Sequence, residues 1–139
     1  MIRRGGASGV IQLNHRDGRP IYEQVRDGLR QLLVVGAIQP GDKLPSVRAL
    51  AGQLAINPNT IQRAYEALEQ EGYVYSVPGK GSFAAQREEI DRTRREELLA
   101  RLDELAGELL YLGVTPEEIA RRCAQAAQGE QIGQGGEKA

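Results

Sequence analysis

The sequence predicts a mainly α-helical chain with one small β-hairpin, and three stretches carry that prediction. Between Asp42 and Gly72, two short helical patterns are separated by a tight turn. Directly after them, Tyr73-Val74-Tyr75 and Ser82-Phe83-Ala84 read as short strands on either side of Val77-Pro78-Gly79-Lys80-Gly81. Further on, Leu98, Leu102, Leu105, Leu109 and Leu112 recur at alternating spacings of four and three, the signature of a heptad seam. Helix, turn, helix and hairpin in that order make an N-terminal winged helix-turn-helix, expected over residues 10–87. The leucine seam opens a two-helix C-terminal dimerisation extension, expected over residues 88–128. Residues 1–9 and 129–139, rich in Gly, are expected to be disordered.

Taken in order, Val10 to Leu13 reads as a short extended segment with Ile11 and Leu13 on one side, and Asp17-Gly18 is a turn signal. Pro20 suits the first turn of a helix running to about Val35, with Ile21, Val25, Leu29, Leu32 and Leu33 as its apolar face and Gly36 as its stop. Gly28 inside that helix costs about 1 kcal/mol relative to Ala, which is compatible with close packing there. Gln39-Pro40-Gly41-Asp42 is a turn, and Lys43-Leu44 can add a minimal strand to the hairpin.

Pro45 biases Leu44 toward extended backbone, so the next helix begins at Ser46, whose hydroxyl can cap it. Val47, Leu50, Ala51 and Leu54 form its buried stripe, and Arg48 lies off that stripe. Asn57 is a good N-cap for the following helix, with Pro58 at the first helical position, where its missing N–H costs nothing. Ile61, Ala64, Tyr65 and Leu68 face inward, and Asn59, Gln62, Arg63 and Glu66 face solvent or a partner. Gly72 can take the left-handed conformation that ends a helix. Glu69 and Glu71 sit at the negative end of its dipole, where acidic residues are locally unfavourable. Pro78-Gly79 suits the central positions of a type II turn, which leaves a basic tip without bulk at Lys80.

Glu88 to about Leu112 is dense in Glu, Arg and Leu, and Leu99 and Ala106 widen the seam. Gly113 should end this helix. Thr115 should cap another that begins at Pro116, with Glu117 and Glu118 in its favourable first turn. Ile119, Ala120, Cys123, Ala126 and Ala127 are its apolar side, which makes Cys123 an inert buried thiol.

Composition narrows the function. The chain of 139 residues carries a formal charge of −1, but unevenly. Residues 1–87 hold 11 Lys and Arg against 7 Asp and Glu, and residues 88–139 hold 7 against 12. A head of net +4 can approach a polyanion, and a tail of net −5 is kept away from it. No apolar run approaches the ~20 residues that cross a membrane, and the N-terminus lacks the apolar core of a signal peptide. A lone cysteine fits a reducing cytoplasm. His15 and Cys123 lie too far apart for a zinc site, and no motif points to another metal or a cofactor. Paired catalytic carboxylates, a Ser/His/Asp set and a phosphate-binding loop are all missing, so an enzyme is not expected. Gly79-Lys80-Gly81-Ser82 lacks the spacing and the following helix of a P-loop.

Residues Pro20 to Phe83 closely resemble the DNA-binding domain of the GntR family of bacterial transcriptional regulators. The resemblance is carried by Pro20-Ile21-Tyr22-Glu23-Gln24, by Pro40 to Arg48, by Asn57 to Tyr65, and by Gly79-Lys80-Gly81-Ser82-Phe83. The wording Asn-Pro-Asn-Thr-Ile-Gln-Arg-Ala-Tyr and the short tail resemble the YtrA-type subfamily. Its members carry two C-terminal helices instead of a large ligand-binding domain, and they often stand in operons with ABC-transporter genes. The resemblance implies that Ser46 and Arg48 contact double-stranded DNA, that Asn59, Thr60, Gln62 and Arg63 face the major groove, and that Gly79 and Lys80 form the wing tip. Many family members carry a basic residue where this chain has Pro58, and another where it has Gln62, so base preference does not carry over.

The implied function is a sequence-specific, dimeric repressor of a small operon, acting on a palindromic operator. The alternative is a winged helix that docks a protein partner without reading DNA. For the seam, pairing with a second chain is preferred to folding back on the head, because a palindromic site mirrors a two-fold axis. Two helices leave little room for the concave pocket of a small-molecule effector, and the sequence names no such effector.

Overall fold

The structure, a computed structural model, describes residues 11–138, with side chains as far as residue 129. The disorder expected for residues 1–9 lies outside the described residues. In order, the elements are α1 (Ile21–Val35), α2 (Val47–Leu54), α3 (Pro58–Glu71), β1 (Val74–Val77), β2 (Gly81–Ala84), α4 (Arg87–Tyr111) and α5 (Pro116–Lys138). They form two compact units that divide between Glu96 and Glu97.

The first unit is the winged helix-turn-helix. Its core joins Val25, Leu29 and Leu33 of α1, Leu50 of α2, Ile61 and Leu68 of α3, and Tyr73 and Ile90, all fully buried. Local chemistry sets the helix ends. The Ser46 hydroxyl accepts from the Ala49 N–H at 3.1 Å, and Asn57 Oδ1 accepts from the Asn59 N–H at 2.8 Å. Gly36 and Gly72 close α1 and α3 at φ values of 83° and 98°. The tight turn between α2 and α3 depends on Ala55, a non-glycine residue held at φ 56°, and Ile56 beside it donates to the Ala51 carbonyl at 3.0 Å.

The segment before α1 is tied down by side chains. Gln24, buried on α1, accepts from the Asn14 N–H at 2.8 Å and donates to the Asn14 carbonyl at 3.0 Å. Ile11 packs on Gly28, where a Cβ would stand 3.1 Å from its Cγ1. A Cβ at residue 28 would require Ile11 to shift by a few tenths of an ångström, in keeping with the close packing expected there.

The hairpin pairs Val74 with Ala84, Tyr75 with Phe83, Ser76 with Ser82 and Val77 with Gly81. Its strands extend through Ser76 and take in Val77 and Gly81, which the sequence places in the loop, so only Pro78-Gly79-Lys80 remain at the tip. The Lys80 N–H donates to the Val77 carbonyl at 2.9 Å, and Gly79 takes φ 75°, as a type II turn requires. Lys43 forms a bridge to Phe83, and the Leu44 N–H donates to the Ser82 carbonyl at 2.8 Å. The minimal strand expected at Lys43-Leu44 is thus reduced to an isolated bridge, and the sheet remains two-stranded.

The first turns of α4 belong to this unit, which runs past residue 87. Ile90 lies in its core. Arg87 donates to the Leu33 and Val34 carbonyls at 3.2 and 3.0 Å. It thus places a positive charge on the C-terminal end of α1, where the helix dipole favours one.

The second unit holds the rest of α4 and α5. Gly113, at φ 94°, ends the turn after α4, and Thr115 Oγ1 accepts from the Glu118 N–H at 3.1 Å to cap α5. Leu98, Leu102, Leu105, Leu109 and Leu112 are all exposed. Cys123 is exposed too, contrary to the buried thiol expected, because on the apolar side of α5 only Ile119 is partly covered, and Ala120, Ala126 and Ala127 are exposed with it. The backbone of α5 continues to Lys138 instead of stopping near residue 128.

Candidate nucleic-acid interface

The residues implicated by the sequence occupy three places in the first unit. Ser46 and Arg48 stand at the start of α2, Asn59, Thr60, Gln62 and Arg63 on the first two turns of α3, and Gly79 and Lys80 on the hairpin tip. All are exposed except Thr60, which is half-buried. On α3, Ile61, Ala64, Tyr65 and Leu68 are buried against α1 and α2. The opposite side, at i+3 and i+4 from Asn59, is therefore free to face a partner.

Long-range bonds brace this surface. The Tyr65 hydroxyl donates to the Pro45 carbonyl at 2.7 Å, which joins α3 to the entrance of α2. Burial pushes the Tyr65 phenol far above its ordinary pKa, so it remains a proton donor. Glu69, which the helix dipole disfavours, receives the Ser76 N–H at 3.2 Å and its hydroxyl at 3.0 Å. This carboxylate sets the root of the hairpin against α3. Burial works against the Arg26 charge, yet Asp27 and the nearby charges of Glu71 and Glu23 hold it above its ordinary pKa. Glu69 thus acquires a structural reason that is invisible in the chain order, and Glu71 lies near the Arg26 charge.

The polar side chains of α3 are not equally free. Gln62 Nε2 donates to Glu66 Oε1 at 3.0 Å. The Arg63 guanidinium carbon lies over the ring of Tyr22, 3.9 Å from its centroid. Pro20, Ile21, Tyr22, Asn59, Thr60 and Arg63 line an open groove of about 310 Å³. Tyr22 is half-buried in the first turn of α1. Its place beside Arg63 follows from the packing of α1 on α3, and no local signal marks it. From the sequence, Lys43 is expected only as a strand residue. Its Cε would stand 3.0 Å from a Cβ at Gly81, so its exposed chain adds a second cation beside the wing.

The family profile of bacterial regulatory proteins, gntR family, matches residues 21–83. The HTH-type transcriptional repressor YtrA of Bacillus subtilis (strain 168) is 37% identical over 114 residues, covering 79% of this chain and 86% of that protein. The chain belongs to the GntR family. Its likeness to YtrA places it with the short, YtrA-type members. As a GntR-family protein it is a DNA-binding regulator of transcription and not an enzyme. Two solved structures agree with the GntR fold. A transcriptional regulator from Oenococcus oeni has a TM-score of 0.67 at 32% identity, covering 83% of this chain and 97% of its own. YtrA from Sulfolobus acidocaldarius, a GntR-family transcription factor, has a TM-score of 0.52 at 33% identity, covering 68% and 98%. Among the described residues, no helix of this GntR protein is long and apolar enough to cross a membrane.

Proposed function

We propose that the chain is a homodimeric repressor that reads a palindromic operator with one α3 per half-site and represses by blocking promoter access. The observation that carries this reading is the exposed polar side of α3, Asn59, Gln62 and Arg63, on a helix whose other side is locked into the core. Such a helix fits the major groove, where base edges are read. Ser46 and Arg48 at the start of α2 and Gly79-Lys80 at the wing flank it, and Thr60 lies in the groove beside it. Cations at Arg48, Lys80 and Lys43 neutralise phosphates and supply the salt-sensitive part of the affinity.

The seam of Leu98, Leu102, Leu105, Leu109 and Leu112 supplies the dimer interface. Five exposed leucines at heptad spacing match coiled-coil pairing. Two linked heads bind together because the second contact becomes intramolecular. The likeness to a named repressor supports repression, and the YtrA-type resemblance supports a small operon of the ABC-transporter kind as the target.

The test is to incubate the purified protein with fragmented genomic DNA, sequence what is retained, and titrate the recovered sites at two salt concentrations. The expected result is a short inverted repeat with half-sites about 34–36 Å apart, or a multiple of it, bound by two chains. Retention without sequence enrichment, or binding by a single chain, would refute the proposal.

A further inference from the structure

We infer that Tyr22 positions Arg63 for reading DNA, so that part of the base preference of α3 is set by a side chain of α1. The inference rests on the function proposed above and adds to it a residue outside the helix-turn-helix.

Arg63 is exposed on the second turn of α3. An arginine there without support spreads over many rotamers and loses that freedom when it binds. Here the guanidinium carbon rests over the Tyr22 ring at 3.9 Å from the centroid, a favourable cation–π distance. The ring itself is held. Tyr22 is half-buried in the first turn of α1, whose core face is anchored by Val25 and Leu29. An arginine can stack the face of its guanidinium on an aromatic ring, an arrangement that leaves its in-plane N–H groups free. Those edges are what a bidentate contact to guanine O6 and N7 requires. The Tyr22 hydroxyl points to other business, since it lies 3.4 Å from Glu23 Oε1. The ring, and not the hydroxyl, is the part that serves Arg63. Gln62 is engaged by Glu66, so Arg63 is the long side chain of this face already arranged to donate a planar fork.

The test uses the full chain and the shortest genomic duplex that the wild-type protein retains. Copies of that duplex with each G·C pair replaced in turn, and a random duplex of equal length, complete the set. Tyr22→Leu should weaken binding to the retained duplex about three- to tenfold, the range expected for a lost cation–π contact. It should also flatten the preference at one G·C pair while leaving the random duplex and the salt slope unchanged. Tyr22→Phe, which keeps the ring, should restore both affinity and preference. In an Arg63→Ala background, Tyr22→Leu should cost nothing further.

The inference is overturned if Tyr22→Leu weakens both duplexes alike, or costs as much without Arg63 as with it. Arg63→Lys, which leaves α1 untouched, gives a second arm independent of Tyr22 folding effects. It keeps the charge and loses the fork, so it should flatten the same G·C preference with an unchanged salt slope, and a retained preference overturns the inference. Failure of the proposed function is a separate result, because there the wild-type protein itself enriches no sequence.

Discussion

For the homodimer proposed above, replacing Leu102 and Leu109 with Glu should release monomers with an intact head. In the single chain Leu98 and Leu102 are each 44% exposed, Leu105 55%, Leu109 39% and Leu112 70%. Covering those fractions removes the equivalent of about two and a half leucine side chains per chain from water, or ~8–15 kcal/mol for the pair at ~1.5–3 kcal/mol each. Association itself costs ~4–15 kcal/mol, so the net is small and sensitive to each leucine. The exposed parts of Leu102 and Leu109 on both chains account for ~2.5–5 kcal/mol of the gross term. Their loss alone weakens the dimer roughly a hundredfold or more. Glutamates facing one another across an apolar seam add desolvation and like-charge repulsion to that loss.

Sedimentation over a concentration series reads the assembly, and circular dichroism checks that the helices persist. Titration against full and half operators reads the consequence, with the variant binding a half-site only at high concentration. If the variant sediments as the parent does and binds the full operator as tightly, the leucine seam is not the interface.

Three further outcomes follow from the same surfaces. Arg48→Ala should leave the melting temperature unchanged and weaken operator binding by about 1–3 kcal/mol if the residue reads a base. An equal loss on all duplexes would assign it to phosphate, and an unchanged affinity would remove it from the interface. Lys80→Ala should reduce the slope of log affinity against log salt by about one, with sequence preference kept, and an unchanged slope would show that the wing tip does not meet the backbone. Burial pushes the Asp27 carboxyl up, but hydrogen bonds from Arg19 and Arg26 and the charge of Arg30 outweigh it and hold it below its ordinary value. A depressed carboxylate pKa stabilises the fold above the ordinary value and loses that contribution as pH falls through the folded one, here below about pH 4. Asp27→Asn should therefore cost about 1–3 kcal/mol at neutral pH and give a shallower acid decline in thermal midpoint. Parallel acid limbs for variant and parent would refute that role.

What the sequence by itself determined is what neighbouring residues decide among themselves. Ser46 and Asn57 cap helices through bonds to backbone two or three residues away. Gly36, Gly72 and Gly79 mark positive-φ positions that most other residues avoid, and Pro78-Gly79 specifies its own turn. Apolar periodicity picked out the buried faces of α1, α2 and α3 because a helix turns every 3.6 residues whatever surrounds it. The residues named for the interface followed from resemblance and from their place off those stripes.

Tertiary packing decided the rest. Ile11 over Gly28, Gln24 on Asn14, Tyr65 on Pro45, Arg87 on Leu33 and Val34, Glu69 on Ser76, and Arg63 on Tyr22 join positions that no local rule links. Each such pair exists only because the core brings two elements together, so neither partner carries a sign of the other in its own stretch of chain. Glu69 shows the consequence most plainly: the local dipole argument counts it as unfavourable, and its bonds to a strand residue seven positions later give it a structural role that the argument does not see.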